Sequence, residues 1–144
     1  MLFKWHIVGD GNDMPLLKRL VISNEVEDCV VIEGKQDNPY PYMKHADVYV
    51  CTSAYEAFPL VFKESFLCGV PVVTTPIPPA REIIEPGKNG VIVNGFRPED
   101  ITKEIMKLYE KPKMIVDMKS YILTHQYKYA DDVTPFIELC EEIQ

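Results

Sequence analysis

Short apolar runs alternate with longer segments of mixed polarity along the whole chain. Five of these runs are rich in β-branched or aromatic residues: 5–8, 29–32, 48–51, 70–74 and 91–93. Several are apolar at consecutive positions, which is typical of a strand covered by helices on both faces. The runs therefore predict five strands of a parallel sheet.

Helical spacing of apolar residues appears between these runs, over 13–23, 59–68 and 98–109. Pro98 stands where the first turn of a helix tolerates proline. Alternating strands and helices predict βαβ units and a doubly wound, Rossmann-like α/β domain. We predict one domain over 1–144, with an α/β core over about 3–110 and a helical tail over 111–144, broken near Pro135.

Glycine and proline mark the boundaries of these elements. Gly69 is placed to end the helix over 59–68 in a left-handed cap, and Pro71 follows at the start of the next strand. The segment 86–90, P-G-K-N-G, predicts a tight turn before the fifth strand. We take Asp10, after the first strand, as a turn residue.

Composition and charge narrow the function classes. The 144 residues carry a net charge of −7, which argues against general electrostatic binding of nucleic acid. No apolar run approaches the ~20 residues of a membrane helix, and the first residues lack the pattern of a signal peptide. The four cysteines contain no C-x-x-C pair, and we expect buried free thiols in a reducing, cytoplasmic compartment.

The three histidines are not at metal-ligand spacing, so we predict no metal. We expect His6 to be a packed core residue and His45 to face solvent at a helix end. Arg81 and Lys88 are expected on the surface.

The most informative stretch is 52–75, where a strand, a short loop and a helix follow one another. Ligands of open α/β sheets bind beyond the carboxyl ends of the strands, and free N–H groups at a helix start favour a phosphate. Glu56 lies in the loop and Glu64 in the second turn of the helix, where a carboxylate can accept hydrogen bonds from sugar hydroxyls.

The positions between the two carboxylates suit a diphosphate. Ala57 is small and lets the backbone approach a ligand. The N–H groups of Phe58, Leu60 and Val61 are candidate donors, whereas Pro59 has none.

E-x7-E followed by C-G-V-P-V-V-T-T resembles the C-terminal donor-binding domain of the retaining GT-B glycosyltransferases of group 1, glycosyltransferase family 4. Other segments resemble the same family in the same order: I-V-G-D-G at 7–11, V-V-I-E-G at 30–34, Y-M-K-H-A-D-V-Y-V at 42–50, and R-E-I-I at 81–84 before two glycines. The similarity runs from about residue 3 to residue 110.

This resemblance implies transfer of a sugar from a nucleotide diphosphate sugar, with a UDP-sugar the expected donor, and with no cofactor or bound metal. It implies that Glu56 contacts the donor sugar and Glu64 the ribose, while the backbone from Ala57 to Val61 holds the diphosphate. Gly9 and Gly11 line the interdomain cleft, and the loop at Gly34 and Lys35 lies near the base.

The acceptor implied by the family is a glycan or a lipid in polysaccharide, lipopolysaccharide, capsule or glycolipid assembly. The resemblance also allows peripheral association of the full-length enzyme with the inner face of the membrane. Two departures stand out: Ala57 replaces the commoner glycine, and the diphosphate-binding Arg and Lys of the family precede the segment at 7–11. We therefore expect a donor domain without its N-terminal acceptor domain, inactive alone.

Two other classes compete with this interpretation. A non-catalytic nucleotide or nucleotide-sugar sensor of related fold would use the same pocket without a partner domain. A receiver-like or flavodoxin-like module ranks last, because a receiver needs an acceptor Asp at the end of a central strand and Asp47 opens its strand.

Overall fold

A computed structural model describes residues 3–125. Strands and helices alternate in the order β1 (Trp5–Val8), α1 (Met14–Ser23), β2 (Val30–Gly34), α2 (Tyr40–His45), β3 (Tyr49–Cys51), α3 (Leu60–Leu67), β4 (Val72–Thr74), α4 (Ala80–Ile83), β5 (Gly90–Ile92), α5 (Pro98–Glu110) and α6 (Pro112–Thr124). The five predicted strands and three predicted helices are confirmed to within a few residues. The predicted break near Pro135 lies outside the described residues.

The strands pair in parallel, as predicted, but in two sheets. β1 pairs with β2, and β3, β4 and β5 form a second sheet in that order. One sheet of five strands was predicted. An apolar run identifies a strand but does not identify the strands with which it pairs. The chain divides into two compact units, Met1–Tyr42 and Met43–Gln144, with the boundary inside α2.

In the first unit, the two faces of β1 differ. Trp5 and Ile7 line an apolar groove together with Leu17 of α1. His6 points to the opposite face, because side chains alternate along a strand. It is exposed, with Nδ1 2.7 Å from the Glu33 carboxylate, so the prediction of a packed core histidine was wrong.

The core of the second unit lies on both faces of β4. Val72 packs in a cluster with Phe62 and Phe66 of α3, while Val73 packs with Leu108 of α5. These side chains are at most 3% exposed, and each contributes about 1.5–3 kcal/mol by burial. The doubly covered strand that consecutive apolar residues predicted is confirmed here.

The end of α3 is a glycine cap that directs the chain into β4. Gly69 has φ +75°, its N–H donates to the Phe66 carbonyl, and the N–H of Val70 donates to the Ser65 carbonyl. This pair of bonds is the Schellman arrangement, and it satisfies carbonyls that the helix leaves open. The predicted left-handed cap is therefore confirmed.

The helices between residues 3 and 125 have at most 13 residues each. None combines the length and the apolar character needed to cross a bilayer.

Candidate functional site

Two hydrogen bonds from Thr75, just beyond the end of β4, hold the end of β3 and the loop that follows it. The Thr75 N–H donates to the Cys51 carbonyl at 3.2 Å, and the Thr75 hydroxyl donates to the Ser53 carbonyl. Ser53 in turn donates from its hydroxyl to Glu56 Oε1 at 2.8 Å. The position of the Glu56 carboxylate thus depends on a chain of contacts that starts at a buried threonine.

Glu56 and Glu64 both help to raise the pKa of the same side chain, the phenol of Tyr49. Tyr49 begins β3, and burial, followed by the charges of Cys51, Glu64 and Glu56, raises its pKa from 10.0 to about 12. The two carboxylates, themselves half-buried, therefore both lie near Tyr49. Tyr49 was not among the predicted site residues. A tyrosine inside a buried apolar run nevertheless indicates a hydroxyl group that requires polar neighbours.

The start of α3 leaves part of its backbone open to a ligand. Pro59 is the N-cap residue, and no side chain caps the helix. The Leu60 N–H donates to the Phe58 carbonyl at 2.9 Å, so it is engaged within the loop. Within residues 3–125, the N–H groups of Phe58 and Val61 have no hydrogen-bond partner, and they remain available to an anion at the positive end of the helix dipole.

Large apolar side chains surround this helix start and face solvent. Tyr55 is 79% exposed, and Phe58 and Leu60 are each 59% exposed. The Lys63 ammonium lies 4.7 Å from the centroid of the Phe58 ring, a cation–π contact. The long side chain of Lys63 thus returns from α3 to the loop that precedes this helix.

The predicted glycines of the first unit meet at the ends of β1 and β2. The Gly9 N–H donates to the Gly34 carbonyl at 2.8 Å, and both glycines have positive φ, +138° and +71°. No atom lies within 4 Å of a Cβ built on Gly9, Gly11 or Gly34, so the backbone there is open to a ligand. Asp10 accepts the Gly11 N–H at 2.8 Å, as expected of a turn residue, and Lys35 is exposed.

The structure therefore brings the predicted residues together as two sets. Gly9, Gly11, Gly34 and Lys35 belong to the unit Met1–Tyr42, whereas Glu56, Glu64 and the residues between them belong to the unit Met43–Gln144.

The remaining candidate side chains are mostly where they were expected. Lys88 pairs with Glu85 at 3.1 Å on the surface, and Arg81 and His45 are exposed. Among the described cysteines only Cys51 is buried; Cys29 and Cys68 are partly exposed, so the prediction of buried thiols was right for one of the three.

The chain matches the family model of glycosyl transferases group 1 over residues 3–124. It is 35% identical over 86 residues to N-acetyl-alpha-D-glucosaminyl L-malate synthase of Bacillus anthracis, which covers 60% of this chain and 23% of that protein. It is 32% identical over 129 residues to D-inositol 3-phosphate glycosyltransferase of Thermomonospora curvata, covering 88% and 30%. The chain spans between 23% and 35% of the length of such curated relatives.

Solved structures share the fold. HepE of Anabaena in complex with UDP-glucose superposes with a TM-score of 0.74 at 25% identity, covering 96% of this chain and 40% of that one. The lipopolysaccharide outer core galactosyltransferase WaaB superposes with a TM-score of 0.71 at 20% identity, covering 96% and 39%. The α/β fold is thus the Rossmann-like half of a GT-B glycosyltransferase. Since the family model matches nearly every described residue, this chain belongs to the group 1 glycosyl transferases.

Proposed function

We propose that this chain is the donor-binding domain of a retaining glycosyltransferase that uses a nucleotide diphosphate sugar. The observation that carries the proposal is the anchored loop between β3 and α3. It holds one carboxylate, Glu56, through Ser53 and Thr75, and it leads into a helix that carries the second carboxylate, Glu64. The loop follows the carboxyl end of β3, the side of the sheet at which open α/β folds bind ligands, and both carboxylates help to raise the pKa of Tyr49 in that strand.

Each group has a definite task in this proposal. Glu64 accepts hydrogen bonds from the two ribose hydroxyls, and Glu56 accepts a hydrogen bond from a hydroxyl of the donor sugar. The N–H groups of Phe58 and Val61 hold the diphosphate at the start of α3.

The chemistry needs stabilisation of a leaving diphosphate. Helix N–H groups and positive side chains supply it without a metal ion or cofactor. The chain spans between 23% and 35% of the length of its curated relatives, so we propose that sugar transfer also needs the remainder of the full-length enzyme. The acceptor, a glycan or a lipid-linked sugar, is bound by an N-terminal domain of the full-length enzyme.

HepE, which binds UDP and UDP-glucose in its solved structures, supports a UDP-sugar as the donor. We propose that the full-length enzyme acts in the cytoplasm in polysaccharide or glycoconjugate synthesis, with peripheral contact to the inner face of the membrane. A non-catalytic nucleotide-sugar-binding module is the second candidate. The same carboxylates would serve such a module, but the full-length protein would then bind the donor without turnover.

The test is a titration of the labelled chain with UDP, GDP, ADP and a UDP-sugar, followed by amide chemical shifts. We expect saturable shifts over 56–64, strongest with UDP. Glu64→Ala should weaken binding about 10- to 100-fold, because it removes hydrogen bonds to a charged acceptor. Glu110→Ala, an exposed carboxylate at the end of α5, is the matched control and should change nothing.

The proposal fails if no nucleotide shifts any amide of this chain and the full-length protein also fails to bind a nucleotide or a UDP-sugar. Binding without sugar transfer by the full-length protein, tested with UDP-sugars and glycan acceptors, would favour the second candidate.

A further inference from the structure

Two Asn–Gly pairs occur in the chain, and the structure places them in opposite environments. Asn89–Gly90 leads into β5, and Asn94–Gly95 lies between β5 and α5. An asparagine followed by glycine is prone to attack by the next backbone nitrogen on its side-chain amide, since glycine has no side chain to obstruct the approach. The surroundings of each asparagine then decide whether the attack occurs.

Asn89 is held in place and shielded. Its side chain has no exposed surface, Oδ1 accepts the Glu85 N–H at 2.7 Å, and Nδ2 donates to the Ile83 carbonyl at 3.1 Å. Gly90 is itself fixed in the parallel ladder beside Val72. Attack by the Gly90 nitrogen would require the side chain to rotate away from both hydrogen bonds and water to enter the core.

Asn94 has none of this protection. It is exposed, and within residues 3–125 neither its side-chain amide nor the Gly95 N–H makes a hydrogen bond. A Cβ on Gly95 would lie 2.5 Å from Oδ2 of Asp100, so a larger residue there would require the Asp100 side chain to move. Asp100 is in turn held by Arg97, with the guanidinium nitrogens at 3.2 and 3.3 Å from its two oxygens. The packing therefore favours glycine at position 95 and leaves the side chain of Asn94 free to rotate.

We propose that Asn94 is a site of spontaneous deamidation in the native protein and that Asn89 is not. The Gly95 backbone nitrogen bonds to Cγ of Asn94, the Cγ–Nδ2 bond breaks, and Nδ2 leaves as ammonia with the proton that Gly95 has lost. Water then opens one of the two C–N bonds of the cyclic imide. The product is aspartate or, when the backbone runs through the side chain, isoaspartate, and no oxidant or reductant takes part.

The change adds one negative charge at the carboxyl end of β5, next to the Arg97–Asp100 pair. The isoaspartate product also lengthens the backbone by one methylene in the connection to α5. An ageing sample of the protein therefore separates into charge variants, of which the acidic ones carry the modification at position 94.

The test is incubation of the folded chain at neutral and mildly alkaline pH, followed by peptide mapping and mass spectrometry. We expect the exchange of side-chain NH2 for OH at position 94 at a rate at least about tenfold above that at position 89, since Asn89 reacts only after its two buried hydrogen bonds open. In concentrated urea both positions should react at similar rates. Asn94→Ser should abolish the acidic variants and leave the melting temperature unchanged.

Two results would overturn the proposal. One is equal rates at both positions in the folded protein; the other is no reaction at position 94 in the folded protein while the same peptide reacts in urea. The urea sample guarantees that the chemistry is detectable, so a negative result in the folded protein is decisive.

Discussion

The side-chain hydroxyl of Thr75 donates a hydrogen bond to the backbone carbonyl of Ser53, and this bond joins the end of β4 to the loop that follows β3. Thr75 is 1% exposed, so the donor of this bond is shielded from water. Because the Ser53 side chain then holds Glu56, the core of the second unit and the candidate site share one hydrogen-bonded connection.

Replacing Thr75 with valine keeps the volume of the side chain and removes the donor. We expect a loss of about 1 kcal/mol in the free energy of unfolding, together with weaker binding of a UDP-sugar, because the Ser53 carbonyl loses its partner. Chemical denaturation and calorimetric titration measure the two effects. Thr124→Val is the control, since Thr124 is exposed at the end of α6 and its hydroxyl bonds locally, donating to the carbonyls of Ser120 and Tyr121 and lying 3.4 Å from Nδ1 of His125. Unchanged affinity in Thr75→Val would show that the loop does not depend on this bond.

Variants of Ser53 and Glu64 distinguish the binding of the donor sugar from the binding of the nucleotide. Ser53→Ala removes the donor to Glu56, so we expect weaker binding of a UDP-sugar with unchanged binding of UDP. Glu64→Gln should weaken both ligands, about tenfold, because an amide accepts hydrogen bonds less strongly than a carboxylate. Parallel calorimetric titrations of UDP and the UDP-sugar give the two ratios. Equal losses for both ligands in Ser53→Ala would contradict the placement of the sugar at Glu56.

The strands, the main helices and the Gly69 cap were predictable because each depends on local sequence. Consecutive apolar residues such as Val72 and Val73 suffice to predict a strand covered on both faces, since each has its own core cluster. The pairing of the strands into two sheets could not be predicted from local sequence, because strand pairing depends on segments that are distant along the chain.

The same distinction between local sequence and distant segments applies to the residues of the candidate site. Glu56 and Glu64 were identifiable from their spacing around a helix start. The neighbours of these residues were not identifiable from local sequence. Tyr49 lies in β3, seven residues before Glu56, and Thr75 bonds to Ser53 from the end of a different strand. The engaged N–H of Leu60 depends on the local turn at Phe58, and the contact of Lys63 depends on which rotamer its long side chain adopts.

Gly69 should be intolerant of alanine for two separable reasons. Its φ of +75° is strained for an L-residue, and a Cβ there would lie 3.2 Å from Cδ2 of Leu123. We expect Gly69→Ala to lower the free energy of unfolding by about 1–2 kcal/mol from backbone strain, with a further loss from the contact. Gly87→Ala is the matched control, because Gly87 has φ +79° in open space. If both variants lose equally, the Leu123 contact contributes nothing; thermal unfolding of the two measures the difference.

The raised pKa of Tyr49 predicts how stability depends on pH in alkaline solution. Its folded pKa of about 12 exceeds the value of 10.0 expected when exposed, so the fold favours the neutral phenol. That contribution is complete below pH 10 and is lost as the pH rises towards 12, by at most about 3 kcal/mol. Denaturation of the native chain and Tyr49→Phe should therefore give stability curves that converge or cross between pH 10 and 12, with the native chain falling more steeply. Since other tyrosines and the lysines titrate in both proteins, only the difference between the curves reports on Tyr49, and parallel curves would show that the fold does not raise the pKa of Tyr49.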